Sequence, residues 1–366
     1  MATNKRLIKS NDEGGAVVPN FNIVTYTGDA GNTGNTLSKT VTGVGFQPDF
    51  VWGKNRDYNG SAHVLFDSVR SPENWLNSAS TSAENTSIYS QATILPDGFT
   101  TGTSDGLNKP NDDFVAWCWK AGGNTSTYNI DDVGYATASA AGLDSGTIIP
   151  TGASVNTAAG FSIVSFTSNG APSVVSTAHG LLAEPEMVIF KNRDNISYWL
   201  TYHKDIGDNG YLALQDTFGT QPFTPFFDMT STTIAVRQSS LASSNEKCVA
   251  YCFHSVDGYQ KVGSYSGGST DTIYTTDDGT STGNGGFKPR YVMLKATNVA
   301  GEDWHCFDSV RGGGDTFVND LRPNTSEAES TFAPREINFV DNGFYWTGTE
   351  GGVNGSGRTY IYLAIA

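Results

Sequence analysis

The pentapeptide Phe66-Asp67-Ser68-Val69-Arg70 returns unchanged as Phe307-Asp308-Ser309-Val310-Arg311. Its frame returns with it. Gly45-Phe46-x-Pro48 precedes the first copy and Gly286-Phe287-x-Pro289 the second, and Phe46 to Phe66 spans the same 20 residues as Phe287 to Phe307. A chain with such matched frames is built of repeats, and repeats limit the fold before any single motif does. With Lys54, Lys191 and Lys295 as a common zero, a diverged third copy emerges between the two. Pro48, Pro185 and Pro289 lie six residues earlier, and Val69, Ile206 and Val310 fifteen later. Each copy opens on a strand pattern (residues 23–27, 163–167 and 262–266) and closes on another (115–119, 249–253 and 360–364). Counting from the lysines to Trp117, Tyr251 and Tyr362 gives 63, 60 and 67 residues, differences that loops between fixed strands absorb.

Gly, Ser, Thr and Asn are abundant, 12% of residues are aromatic and only 16% are charged, a balance that favours strands and turns over helices. The predicted fold is all-β: three tandem antiparallel β-sandwich repeats behind an N-terminal arm. The expected divisions are an arm at 1–20, repeats at 21–123, 161–257 and 258–366, and a docked Gly/Ala/Ser/Thr-rich linker at 124–160. Each repeat is long enough to bury a core of its own. The linker carries Tyr128, Ile130, Tyr135, Leu143, Ile148 and Ile149, which a freely flexible tether would lack. The junction between the second and third repeats, Asp257-Gly258-Tyr259, is short enough to make them a semi-rigid pair.

A formal charge of -15 repels a phosphate backbone, so no nucleic-acid partner is expected. No apolar run is long enough to insert in a membrane, and the N-terminus lacks the apolar region of a secretory signal. The four cysteines do not form a disulfide framework. Cys118 and Cys252 fall opposite Leu363, and Cys306 opposite Leu65, which marks apolar interior positions.

The matched frames, Gly-Phe-x-Pro, Lys54-Asn55-Arg56, Phe-Asp-Ser-Val-Arg, (Asp/Asn)-Gly-Phe and Val115-Ala116-Trp117-Cys118-Trp119-Lys120-Ala121-Gly122-Gly123, resemble a repeat domain of tailed-phage virion proteins, frequent in phages of marine and aquatic bacteria. The linker phrase from Tyr128 to Ala136 resembles inserts seen there. The resemblance implies a virion structural protein, often tail-fibre-like, with a concanavalin-like jelly-roll fold. It implies no catalytic residues. The second copy departs from the pattern, with His203-Lys204-Asp205-Ile206-Gly207 in place of the pentapeptide.

Candidate chemistry is sparse. Gly102-Thr103-Ser104-Asp105-Gly106 matches a nucleophile elbow, but a loop sequence follows where that motif needs a helix. The histidines show no zinc-ligand spacing. Asp29, Asp105, Asp271, Asp277 and Asp278 sit in Gly- and Asn-rich loops that could take calcium, yet ordinary turns hold the same residues. No metal, cofactor or enzymatic activity is expected. Asp67/Arg70 and Asp308/Arg311 are three apart, which in a strand faces them to opposite sides and suggests separate structural partners. Trp75 and Trp346 are the tryptophans expected to be exposed and are candidate sugar platforms.

The leading expectation is a virion exterior protein, made in the host cytoplasm, that assembles with other virion proteins as a homo-oligomer and adheres to a host-surface glycan. The alternatives are a capsid decoration protein without a receptor and, more remotely, a glycan-cleaving enzyme, which needs paired carboxylates. Lys5, Arg6, Leu7, Ile8 and Lys9 are the expected particle anchor, a short basic segment ahead of Gly14-Gly15 that cannot build its own core.

Overall fold

The structure, a computed structural model, describes residues 20–29, 38–86, 92–103, 105–312 and 314–366. The chain is all-β, with 43% of residues in strands and 5% in helices. The anchor residues and Ser104 lie outside the described residues.

One four-strand order recurs three times. An opening strand pairs with a closing strand, the closing strand with one that carries the lysine, and that one with the strand leading into the pentapeptide. The opening strands are Phe21–Thr27, Phe161–Asn169 and Gln260–Ser266. The lysine strands are Phe50–Asn55, Met187–Asn192 and Tyr291–Ala296. The motif strands are Val64–Asp67, Leu200–His203 and Trp304–Asp308, and the closing strands Asp113–Trp119, Ser244–Phe253 and Thr359–Ile365. All pairings among these twelve strands are antiparallel.

The registers correct two alignments made from sequence. Lys54, Lys191 and Lys295 stand opposite Val115, Val249 and Ile361. Leu363, not Tyr362, is therefore the counterpart of Trp117 and Tyr251, and Cys118 and Cys252 match Ala364. Asp67 and Asp308 pair with Phe50 and Tyr291, and His203 pairs with Met187 at the same place, so His203 occupies the aspartate position and Ile206 that of Arg70. A one-residue slip turns a strand's inward set outward. Both corrections move residues between faces, and the offsets alone could not decide them.

Both faces of each four-stranded sheet are covered, which explains the unbroken apolar runs of the closing strands. One face meets a smaller sheet of its own repeat. In the first, strands Thr40–Thr42, Gly98–Thr101 and Ala92–Leu95 enclose Val41, Phe66, Phe99 and Cys118. The (Asp/Asn)-Gly-Phe motif is the hairpin into that sheet. Gly98 and Gly343 have φ of +149° and +157°, and a Cβ on them would meet the carbonyl oxygens of Val41 and Ile273 at 2.0 and 2.1 Å. Only glycine lets the backbones approach so closely.

The other faces of all three sheets turn toward one another. Phe50, Trp52, Trp117 and Trp119 of the first repeat, Phe161, Ile189, Trp199 and Tyr251 of the second, and Tyr291, Met293, Trp304 and Leu363 of the third form one continuous cluster. The expectation of self-sufficient repeats is thus revised: each has an outer core of its own, but half of each sheet is buried only by its neighbours. The linker is also more than a docked tether. Strands Tyr128–Ile130, Val133–Tyr135 and Gly152–Asn156 extend the second repeat's sheet beyond its opening strand.

Cys118, Cys248, Cys252 and Cys306 are free and buried, and burial pushes the Cys248 and Cys252 thiols up to about 12. A small thiol reagent is expected to label none of them in the native protein and all four after denaturation, as read by mass spectrometry.

Candidate functional site

The recurring charged residues meet where repeats meet. The motif strand ends at Asp67, and Ser68-Val69-Arg70 is a turn, so Arg70 folds back onto Asp67 instead of facing away from it as strand geometry implied. Asp67 Oδ1 accepts the backbone N–H groups of Val69 and Arg70 at 3.0 and 2.9 Å, and Oδ2 accepts Arg70 Nε at 2.6 Å. Asp308 and Arg311 repeat this arrangement, with Nε to Oδ2 again 2.6 Å. All four side chains are fully buried.

Each pair continues into the adjoining repeat. Arg70 Nη1 donates to Glu84 at 2.6 Å, and Glu84 receives a two-pronged bond from Arg193 of the second repeat, both contacts 2.9 Å. In the same way Arg311 Nη1 donates to Glu329 at 2.8 Å, and Arg56 of the first repeat holds Glu329 at 3.0 and 2.9 Å. Burial works to raise both glutamates, but the bonds from Arg193 and Arg56 and the charges of Arg70 and Arg311 outweigh it, holding both below their ordinary range. Each aspartate also accepts from a closing-strand aromatic of the next repeat: Tyr251 OH to Asp67 and Trp117 Nε1 to Asp308, both 2.8 Å.

The second junction, between the second and third repeats, lacks this lock. His203 and Ile206 replace the Asp and Arg, and Leu363 offers no donor. Burial pushes His203 down to about 4, so its ring is neutral. What remains there is common to all three junctions. Glu84 N–H bonds Arg193 O, Glu329 N–H bonds Arg56 O and Thr220 N–H bonds Thr297 O, each at 2.7 Å. A ring N–H also crosses each junction: Trp199 to Asn77 O at 3.0 Å, Trp304 to Ala213 O at 3.1 Å, and His63 Nε2 to Arg322 O at 3.0 Å. His63 accepts Trp52 Nε1 at its other nitrogen, which fixes the tautomer, and burial holds it well below its ordinary value.

Lys54, Lys191 and Lys295 share one strand position and are all buried. Lys54 and Lys295 each donate to the next residue's carbonyl at 2.7 Å, while Lys191 reaches Thr81 O of the first repeat at 3.2 Å and Ser197 O at 3.1 Å. Burial lowers each from 10.5 to about 8. The unfolded chain therefore binds more protons than the folded one between those values, and stability rises with pH there. The four buried thiols ionise at about 8.5 once unfolded, so in the same window they work in the opposite direction. The lysines alone contribute a gain of roughly 1 kcal/mol each from pH 8 to pH 9. Chemical denaturation of the parent and of Lys54→Met across that window checks it: the variant should gain roughly 1 kcal/mol less than the parent.

Trp346 is corrected from exposed to buried, at 1% exposure, and stacks edge-on against Phe307. Trp75 is half-buried against the first repeat's outer core. Neither forms an open sugar platform. A single helical turn, Asp105–Asn108, follows the elbow-like sequence where a loop was expected. Of the loop aspartates, Asp29 pairs with Lys39, and Asp278 is tied to Thr280. Among the described residues no three His, Cys, Asp or Glu side chains converge for a metal ion.

Arg56, Arg193, Glu84 and Glu329 were missed in the sequence. The signal for the arginines was present, because Lys-Asn-Arg occurs at both 54–56 and 191–193. The glutamates gave little, since they follow Arg70 and Arg311 by 14 and 18 residues in polar stretches. No curated protein and no solved structure matches the chain. Over residues 19–366 the sequence matches the family model described as a domain of unknown function, DUF7483, and the chain belongs to that family.

Proposed function

We propose that this chain is a structural and adhesive protein of a phage virion, tail-fibre-like, carried on the exterior of the particle and made in the host cytoplasm. Its three repeats are concanavalin-like sandwiches that hold surface loops for a host glycan. It acts as a homo-oligomer among other virion proteins, not as an enzyme. One observation carries this reading: the residues that recur with the repeat are spent on joining repeats. Asp67, Arg70, Asp308 and Arg311 are fully buried in junctions, where no substrate reaches them. A motif kept for rigidity suits a display scaffold, and ligand contacts then fall to loops that vary between the repeats. The virion setting rests on the sequence resemblance.

Antibody labelling of purified particles, together with a glycan array, tests the proposal. Tail-tip labelling with glycan binding supports it. Head-surface labelling without glycan binding replaces it with a decoration role, and release of reducing sugar replaces it with glycan cleavage. Absence from the particle overturns it. Deleting residues 1–15 should leave the melting curve unchanged and abolish incorporation, read as copy number per particle; equal incorporation rules out the anchor.

A further inference from the structure

The three opening strands are equivalent, but their free edges are treated differently. In the second repeat, Gly152–Asn156 lies antiparallel on Phe161–Asn169, pairing Gly152 with Ser165 and Asn156 with Phe161. Thr151 N–H adds a bond to Ser165 O at 2.8 Å. This added strand fills the space beside the motif turn of the first repeat, where a Cβ on Gly152 would meet Val69 Cγ1 at 3.2 Å. At the next junction the same space is a cleft of about 380 Å³, lined by Val262–Ser266 of the third repeat's opening strand and by Asp205, the counterpart of Val69.

That strand edge is built to accept a partner. Gln260 N–H bonds Val256 O and Val262 N–H bonds Ser255 Oγ, both 2.9 Å, so even-numbered residues point away from the closing strand. By the same alternation Ser264 and Ser266, both exposed, present their backbone groups to the cleft. Ser264 is the counterpart of Ser165, whose edge is covered. An exposed, unpaired edge of this kind is a template for an added strand. The mouth of the cleft is acidic. Asp205, Asp271, Asp277 and Asp278 line it, whereas Lys204 is engaged by Glu186 at 2.7 Å and Lys261 by Asp277 O at 2.9 Å.

We infer that this edge receives the basic segment Lys5-Arg6-Leu7-Ile8-Lys9 of a neighbouring copy as an added strand. The segment is five residues long, as is Gly152–Asn156, and its three cations match the carboxylates at the mouth. Asn20, from which the arm departs, is held by Asn156 Nδ2 at the first junction, 3.1 Å away. The cleft lies at the second junction. Ten residues lie between Lys9 and Asn20, and the eleven steps they make reach roughly 36–40 Å at full extension. An arm leaving one junction and docking at another on the next copy makes a head-to-tail contact. The inference deepens the proposed anchor by naming its receiving site.

Leu7→Cys chains mixed with Ser264→Cys chains under mild oxidation test it, since the native thiols are buried. A covalent dimer on a non-reducing gel is expected, with its yield lost at 1 M salt or when Asp271→Asn and Asp278→Asn are added. Thr25→Cys, on the exposed edge of the first repeat's opening strand, should give no dimer with Leu7→Cys. No dimer with Ser264→Cys, equal yield with Thr25→Cys, or a cross-link formed only within chains carrying both cysteines overturns the inference. The measurement uses purified protein, so its failure is separate from that of the virion reading.

Discussion

A chain cut after residue 257 is expected to lose its native fold, and the intact chain to unfold in one transition. Removing the third repeat takes Tyr291, Met293, Trp304, Leu363 and Ile365 out of the common core. It leaves Trp117 and Phe21, which contact Tyr291 at 5.5 and 5.6 Å between ring centres, facing water. Each large apolar side chain so exposed costs roughly 1.5–3 kcal/mol. Five such side chains cost roughly 7–15 kcal/mol, as much as the whole of the roughly 5–15 kcal/mol by which domains are stable. The outer core of each repeat cannot offset this, because its main sheet remains uncovered on the other face. Calorimetry of the full chain and near-ultraviolet circular dichroism of the fragment are the measurements. Two or three resolved transitions, or a fragment with a cooperative melt, would sink the idea.

Arg70→Met and Arg311→Met are each expected to cost about 3–5 kcal/mol, because each leaves a buried aspartate without its cation. Asp67 would keep the amides of Val69 and residue 70 and the Tyr251 hydroxyl, but these are neutral donors. Glu84 would keep Arg193 and lose its inner partner. Tyr251→Phe, which removes one donor to the same carboxylate, should cost about 1–3 kcal/mol. The second repeat shows how the chain manages without the pair, with His203 and Ile206 in the two positions. Importing both residues, as Asp67→His with Arg70→Ile, should therefore cost less than Arg70→Ile alone. Urea midpoints at pH 7 measure all of these. An Arg70→Met protein within about 1 kcal/mol of the parent would show that the pair contributes little.

The repeats, the strand-rich fold and the interior position of the cysteines were legible in the sequence because each leaves a local mark: a matched offset, an alternation, a Cys standing where another copy has an apolar residue. The common core was not. A closing strand such as Val115–Trp119 has large residues on both faces, and sequence says only that both are covered, not by what. The pairing of Asp67 with Arg70 was misjudged because the strand ends at the aspartate, and a turn brings i and i+3 together where a strand separates them. Trp346 shows the same limit. It was expected to be exposed, but its ring is buried and packs on Phe307.

The absence of a charged lock at the second junction has a topological consequence. The three repeats close a ring, but the backbone ties only two of its joints. The joint between the third and first repeats has no tether, and that between the first and second is crossed by residues 120–127, ahead of the strand at Tyr128–Ile130 that already belongs to the second sheet; both carry Asp–Arg–Glu–Arg networks. The joint without a network is the one spanned by the short connection at Asp257-Gly258. Holding two bodies together costs more entropy the longer the segment between them, so covalent proximity and ionic locking act as substitutes for each other. A circular permutant opened at 257–258, with its old ends joined by a linker, would lose both at the same joint. That ring would open there first, whereas a permutant opened within 120–127 would stay closed.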